Sequence, residues 1–114
     1  MISVIMPVFN CADTVGQAID SIMNQTYLDI ELIVVDDGST DDTLEVVADH
    51  PQFGGNFILE RILHSGAATA LNRCLEMAKG EYIARHDGDD YSHPKRFEKQ
   101  LEYLEKKDGC RAIG

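Results

Sequence analysis

The sequence predicts an α/β domain built on a largely parallel sheet with flanking helices. Apolar runs of strand length alternate four times with stretches whose apolar residues recur every three or four positions, the order expected of strand and helix in a layered fold with right-handed crossovers. The first two runs are apolar almost throughout, as in strands covered on both faces. A length of 114 residues, 44% apolar and 26% charged, fits one folded domain and excludes disordered, collagen-like and coiled-coil classes.

Residues 2–8 read as the first strand, with a break expected at Pro7 because proline cannot donate to a ladder. Asp13 is placed to cap a helix that carries Val15, Ala18, Ile19, Ile22 and Met23 on one stripe and ends near Asn24. The second strand is 30–35. Ser39 stands three residues before Asp42, an N-terminal capping arrangement for a short helix with Leu44, Val47 and Ala48 inward. After a loop at 51–56, the third strand covers 57–62, weakened by Glu60 and Arg61. An alanine-rich helix over 67–79 turns Leu71, Cys74, Leu75 and Ala78 inward and closes on Gly80 as its C-cap. The fourth strand is 81–86. Pro94 suits the first turn of a last helix, striped by Phe97, Leu101 and Leu104 and ending before Gly109. Residues 110–114 resemble the opening of a fifth strand that is cut off, so the chain is expected to be the front part of a longer enzyme.

Charge is concentrated. The net charge is −10, yet seven of the twenty acids fall in two clusters, Asp36, Asp37, Asp41 and Asp42, then Asp87, Asp89 and Asp90. No basic patch offsets them, which excludes nucleic acid as a partner. Three cysteines without CxxC spacing read as free thiols in a reducing compartment. No apolar run approaches the roughly 20 residues that span a bilayer, so a cytoplasmic location is expected.

Both acidic clusters follow strands, at the carboxyl ends where ligands collect in open α/β sheets. Asp87-Gly88-Asp89 has a DxD spacing whose glycine allows a tight turn, with carboxylates suited to a hard cation such as Mg²⁺ or Mn²⁺ that shares diphosphate oxygens. Asp-rich turns also serve as ordinary caps, and DxD alone is a weak signal. Asp36-Asp37-Gly38-Ser39 is more specific, because capping accounts for Ser39 but not for two adjacent acids ending an apolar strand, one of which should face a crevice.

Five segments in register then carry a resemblance: SVIMPVFN at 3–10, Ser21-Ile22, Gln25-Thr26-Tyr27, VVDDGSTDDT at 34–43 and AKGEYIARHDGDD at 78–90. Together they resemble the start of a family 2 glycosyltransferase with the GT-A, Rossmann-like fold, covering nearly the whole chain. The resemblance implies a donor site for a nucleotide-diphospho-sugar, most often a UDP-sugar. Pro7, Val8 and Phe9 would contact the base. Asp37 would bond the base or ribose. Asp89 would hold the metal on the diphosphate, with Asp87 near the ribose or assisting the metal. Phe9 also reads as an aromatic ending a buried strand, the commoner use. Leu71 stands before Asn72 where the family often has Arg, and Arg73, two positions on, faces another way. His86 reads as packed rather than metal-bound; His50, His64 and His93 receive no role.

The family's inverting chemistry needs a carboxylate base within reach of the acceptor hydroxyl. That residue is expected beyond Gly114, so residues 1–114 supply the donor and metal site, and the acceptor, whether saccharide, lipid or protein, is left open. The family also implies work at the inner face of the membrane, with peripheral attachment through other parts, in polysaccharide assembly. Three alternatives compete. A phospho-accepting receiver would carry its acidic pair after the first strand, a nucleotidyltransferase would carry a Gly-rich basic loop there, and a non-catalytic nucleotide-binding module would share the fold without turnover.

Overall fold

A computed structural model describes residues 1–105 and 112–113. Five strands, β1 (Ile2–Val8), β2 (Ile30–Asp36), β3 (Phe57–Arg61), β4 (Tyr82–Arg85) and β5 (Ala112–Ile113), form one sheet in the order β3-β2-β1-β4-β5. Every pairing is parallel. The helices are α1 (Ala12–Met23), α2 (Thr43–Ala48), α3 (Ala67–Met77) and α4 (Arg96–Glu105).

Strand periodicity sorts the core into two layers, since alternate side chains face opposite sides of a sheet. Ile2, Val4, Met6 and Val8 join Leu32 and Val34 beneath Val15, Ala18, Ile19 and Ile22 of α1, Val47 of α2 and Phe97 and Leu104 of α4. Ile5, Ile33 and Val35 pack on the other face against Ala70 and Cys74 of α3. The sheet is therefore sandwiched between helices, which explains why its first two strands are apolar on both faces.

The strand order places β1 at the centre, with β2 on one side and β4 on the other. The connection reverses direction across β1, so the crevice at the carboxyl ends of β1 and β4 is the topological switch point. Pro7 does not break the strand, contrary to expectation; it stays in register with Val35. The β1–β4 register ends at Ile5 and Arg85, and His86 N–H donates to the Ile5 carbonyl at 3.0 Å. The next ladder donor on that edge would be residue 7, where proline supplies none. Proline thus releases β4 from β1 where the crevice opens.

Several local expectations are corrected. Cys11, not Asp13, is the N-cap of α1. Its first N–H groups are satisfied from the β2–α2 loop, with Cys11 N–H donating to Thr43 Oγ1 at 2.9 Å and Ala12 N–H to Asp41 Oδ2 at 3.2 Å. Ser39 does not cap α2, whose N-cap Asp42 makes no side-chain bond; its hydroxyl is held by Asp36 instead. Ala48 and Leu75 face solvent. α3 stops at Ala78 as C-cap rather than Gly80, because the Lys79 and Gly80 N–H groups turn to Glu31 and Ser3, at 2.7 Å each. Pro94 lies two residues before α4. Cys74 is a buried free thiol and Cys11 a partly buried one; Cys110 and Gly109 lie outside the described residues.

Candidate functional site

Three loops meet at the switch point, and backbone chemistry ties each to the next. After β1, Asn10 adopts a left-handed φ of 50°, a conformation asparagine tolerates. Its side-chain oxygen accepts from Thr40 N–H at 2.8 Å, and its own N–H donates to Ser39 Oγ at 2.9 Å. At the end of β2, fully buried Asp36 accepts from the Ser39 N–H and hydroxyl, with the Arg61 guanidinium 3.9 Å from its other oxygen. Asp36 is thus the inward member of the acidic pair. Asp41, bonded above all by the Thr43 hydroxyl and also by the Thr43 and Ala12 N–H groups, is held below the usual carboxylate range.

Asp37 reaches the third loop. Its Oδ1 accepts from Ser65 N–H at 2.8 Å; its Oδ2 accepts from Gly66 N–H at 3.1 Å and lies 3.0 Å from His64 Nδ1. Gly66 is the N-cap of α3, so the carboxylate sits where a helix start favours negative charge. The His64 ring stacks on Phe9, centroids 4.4 Å apart and planes 21° from parallel. Phe9 is 44% exposed and so belongs to the rim, not to the core.

The turn after β4 is clamped from both sides. His86 is buried, with Nδ1 2.9 Å from the Asp87 carbonyl and Nε2 2.8 Å from Ser92 Oγ. Burial pushes its imidazole below the ordinary value, aided by nearby Arg96. Both ring nitrogens are engaged, in keeping with a packed role. Outside the turn, Thr14 donates its hydroxyl to the Gly88 carbonyl at 2.9 Å. A Cβ at residue 88 would lie 2.7 Å from Cys11 Sγ. Glycine is favoured there by this close approach to the Cys11 and Val8 side chains, which any larger residue would have to displace, and not by a positive φ.

The clamp leaves three carboxylates facing out. Asp87, Asp89 and Asp90 are exposed and bring one oxygen each within 4.8 Å of one another. Three hard oxygen donors at the corner of a cleft fit Mg²⁺ or Mn²⁺, which take carboxylates, water and phosphate oxygens. Asp87 also lies 3.5 Å from Arg85 Nε.

Two cavities flank the Val8–Phe9 ridge. One, of about 270 Å³, is lined by Pro7, Val8, Phe9, Asp37, His64, Gly66, Ala67, Ala70, Arg85 and Asp87. The other, of about 450 Å³, runs from the same ridge past Asn10 and Thr14 to Gly88 and Asp89. All six residues singled out from sequence, Pro7, Val8, Phe9, Asp37, Asp87 and Asp89, therefore line these two adjoining hollows. The sequence assigns His64 no role; its one signal there is its place two residues before Gly66, the N-cap of α3. Arg73, two positions past Leu71, is bound to Glu60 at 2.6 Å and to Glu76 at 3.0 Å and is absent from the lining of both hollows. A separate cavity of about 260 Å³ beside Leu28 and Phe57 carries no charged side chain.

Residues 3–110 match the family described as glycosyl transferase family 2. The chain belongs to that family. Relatives of this glycosyltransferase family include EpsE of Bacillus subtilis (strain 168), 42% identical over 99% of this chain and 41% of EpsE. The chain thus spans about two fifths of that relative's length. Among solved structures, S. aureus TarS 1-349 in complex with UDP superposes with a TM-score of 0.84 at 28% identity, over 92% of this chain and 32% of that 1-349 chain. The mannosyltransferase PcManGT from Pyrobaculum calidifontis, in complex with GDP-Man and Mn²⁺, gives 0.80 at 29% identity, over 90% of this chain and 32% of that one. The family 2 glycosyltransferase domain has the GT-A fold these proteins share. Its strand order is that of the first five strands of a doubly wound 3-2-1-4-5-6 sheet and not the 2-1-3-4-5 order of receivers, which removes the receiver alternative. Among the described residues no helix is long and apolar enough to cross a membrane.

Proposed function

We propose that residues 1–114 are the N-terminal donor-binding part of a glycosyltransferase that moves a sugar from a nucleotide-diphospho-sugar, a UDP-sugar, to an acceptor hydroxyl with inversion. One observation carries the reading: a cavity lined by an aromatic and an acid from the first two loops is also lined by Asp87, one of three clustered carboxylates, as a nucleoside joined to a metal-bound diphosphate requires. Pro7, Val8, Phe9 and Asp37 form the nucleoside end; Asp87 and Asp89 form the diphosphate end. Asp89 and Asp87 would hold Mg²⁺ or Mn²⁺, and the ion would supply the positive charge that a departing diphosphate needs. The chain's own contribution is preorganisation: the His86–Ser92 bond and the Thr14–Gly88 bond fix the acids before donor arrives. The acceptor hydroxyl's base lies outside residues 1–114, and the donor-binding assignment stands independently of it.

Support for the donor class comes from TarS, crystallised with UDP and with UDP-GlcNAc, and support for the cation from PcManGT with Mn²⁺. Calorimetric titration with UDP, in Mn²⁺ and then in EDTA, tests the proposal. Binding is expected in Mn²⁺ only, and Asp89→Ala should weaken it by at least about tenfold, since even partners outside a metal's ligand shell are worth about 10- to 100-fold. Equal affinity in EDTA, or an unchanged Asp89→Ala, would remove the metal from the site. Metal-dependent UDP binding by a longer protein that never transfers sugar would favour the non-catalytic module.

A further inference from the structure

The nucleoside end of the cavity contains a side chain better placed to recognise a base than the acid the family resemblance points to. Asp37 is 3% exposed, and three donors already converge on its two oxygens. A carboxylate so enclosed has little left to offer an incoming ligand. The His64 side chain, by contrast, is 60% exposed and lines the 270 Å³ cavity with Phe9. Resting on the donor-site reading above, we propose that His64 reads the edge of the nucleobase and that Asp37 acts through it as a positioning residue.

The tautomer follows from the contacts. His64 Nδ1 lies 3.0 Å from Asp37 Oδ2 and 3.1 Å from the Asp37 carbonyl oxygen. Both neighbours are acceptors, so Nδ1 carries the hydrogen. In the neutral ring Nε2 is then a bare acceptor, and it has no partner among the described residues. The Phe9 ring, stacked at 4.4 Å, fixes the plane of the imidazole, and the Ser65 and Gly66 N–H groups fix the carboxylate that holds it.

An acceptor held in this way suits a base with a ring N–H. Uracil carries hydrogen on N3; cytosine presents a lone pair at the same place, which would meet the Nε2 lone pair head on. The arrangement selects uracil over cytosine. A net hydrogen bond of this kind is worth about two- to twelvefold in affinity, and more where its loss leaves lone pairs opposed.

The test uses the intact protein with Mn²⁺ at about pH 8, where free imidazole is neutral, and measures Kd for UDP, CDP and N3-methyl-UDP. The wild type should prefer UDP to both analogues by roughly tenfold. His64→Phe keeps an aromatic ring on Phe9 but removes Nε2; it should bind all three within about twofold of one another, chiefly by losing UDP affinity. His64→Ala should erase the preference as well and weaken all three, because the stacked ring is gone. A preference that survives both substitutions in folded protein would overturn the assignment while leaving the donor site intact. Absence of preference in the wild type would do the same. Failure of the wild type to bind any of the three would remove the donor-site reading and this inference with it.

Discussion

Gly38 is the residue on which the site's third loop leans, and Gly38→Ala should show it. Its φ is +70°, and a Cβ added there would lie 2.8 Å from the His64 backbone nitrogen, 3.3 Å from His64 Cα and 3.2 Å from His64 Cβ. Two costs separate cleanly. A left-handed φ costs an L-residue about 1 to 2 kcal/mol. Overpacking against backbone, which cannot rotate away, adds about 1 to 3 kcal/mol, for a total of about 2 to 5 kcal/mol. Gly55 supplies the control: its φ is +60°, but a Cβ there meets nothing within 4 Å. Gly55→Ala should therefore cost only the first term. Urea unfolding of both variants gives the difference, expected at about 1 to 3 kcal/mol in favour of Gly55→Ala. The second readout is UDP affinity with Mn²⁺, which Gly38→Ala should weaken because relief of the clash moves His64 away from Asp37 and Phe9. Equal destabilisation by the two alanines, together with unchanged UDP affinity in Gly38→Ala, would refute the claim that the Gly38 turn sets the position of the His64 loop.

Three further outcomes are expected. Burial raises the Cys74 thiol from its ordinary value of 9.0 to about 11. Its raised folded value means the contribution is complete below 9.0 and lost as pH rises through about 11, amounting to about 2 to 3 kcal/mol; Cys74→Ala should flatten the fall in unfolding free energy over that window. Ser3→Ala strips a donor from the nearly buried Glu31 carboxylate and an acceptor from Gly80 N–H; urea unfolding should show a loss of about 1 to 3 kcal/mol with UDP affinity unchanged. Phe97→Ala empties a fully buried position between α4 and the sheet, and its unfolding free energy should fall by about 3 to 5 kcal/mol.

The parts of the fold legible in the sequence were those fixed by burial on both faces or by a single clear stripe. β1 and the Phe97, Leu101 and Leu104 stripe of α4 lie where periodicity put them, because no local competitor claims those residues. The departures lie where a contact other than the one the local pattern offers, near or distant in the chain, takes the group concerned. Ser39 looks like a cap for α2, but Asp36, three residues earlier and buried, takes it first. Asp13 looks like a cap for α1, but the groups that satisfy that helix start arrive from Asp41 and Thr43, some thirty positions away. Leu75 fits the α3 stripe numerically yet faces solvent, because only Ala70 and Cys74 sit close enough to the sheet to be buried. At the site, the acids were visible as clusters at strand ends, whereas His64 was not, since its meaning comes from contact with Asp37 and Phe9 across 27 and 55 positions of chain.

The central place of β1 has a consequence for how the domain comes into being. One edge of β1 is covered as soon as β2 follows it, but the other waits for β4, which begins only at Tyr82. At about 5 to 20 residues per second, a ribosome leaves that edge open for roughly 2 to 10 seconds after β2 has emerged. The exposed strand is apolar, the kind of edge that recruits other chains. Closing a parallel pair across so long a loop is also intrinsically slow. The acids that follow β4 therefore reach their place only in the step that ends this hazard, and on the donor-site proposal a metal-bound nucleotide that engaged them would also act as a late folding ligand.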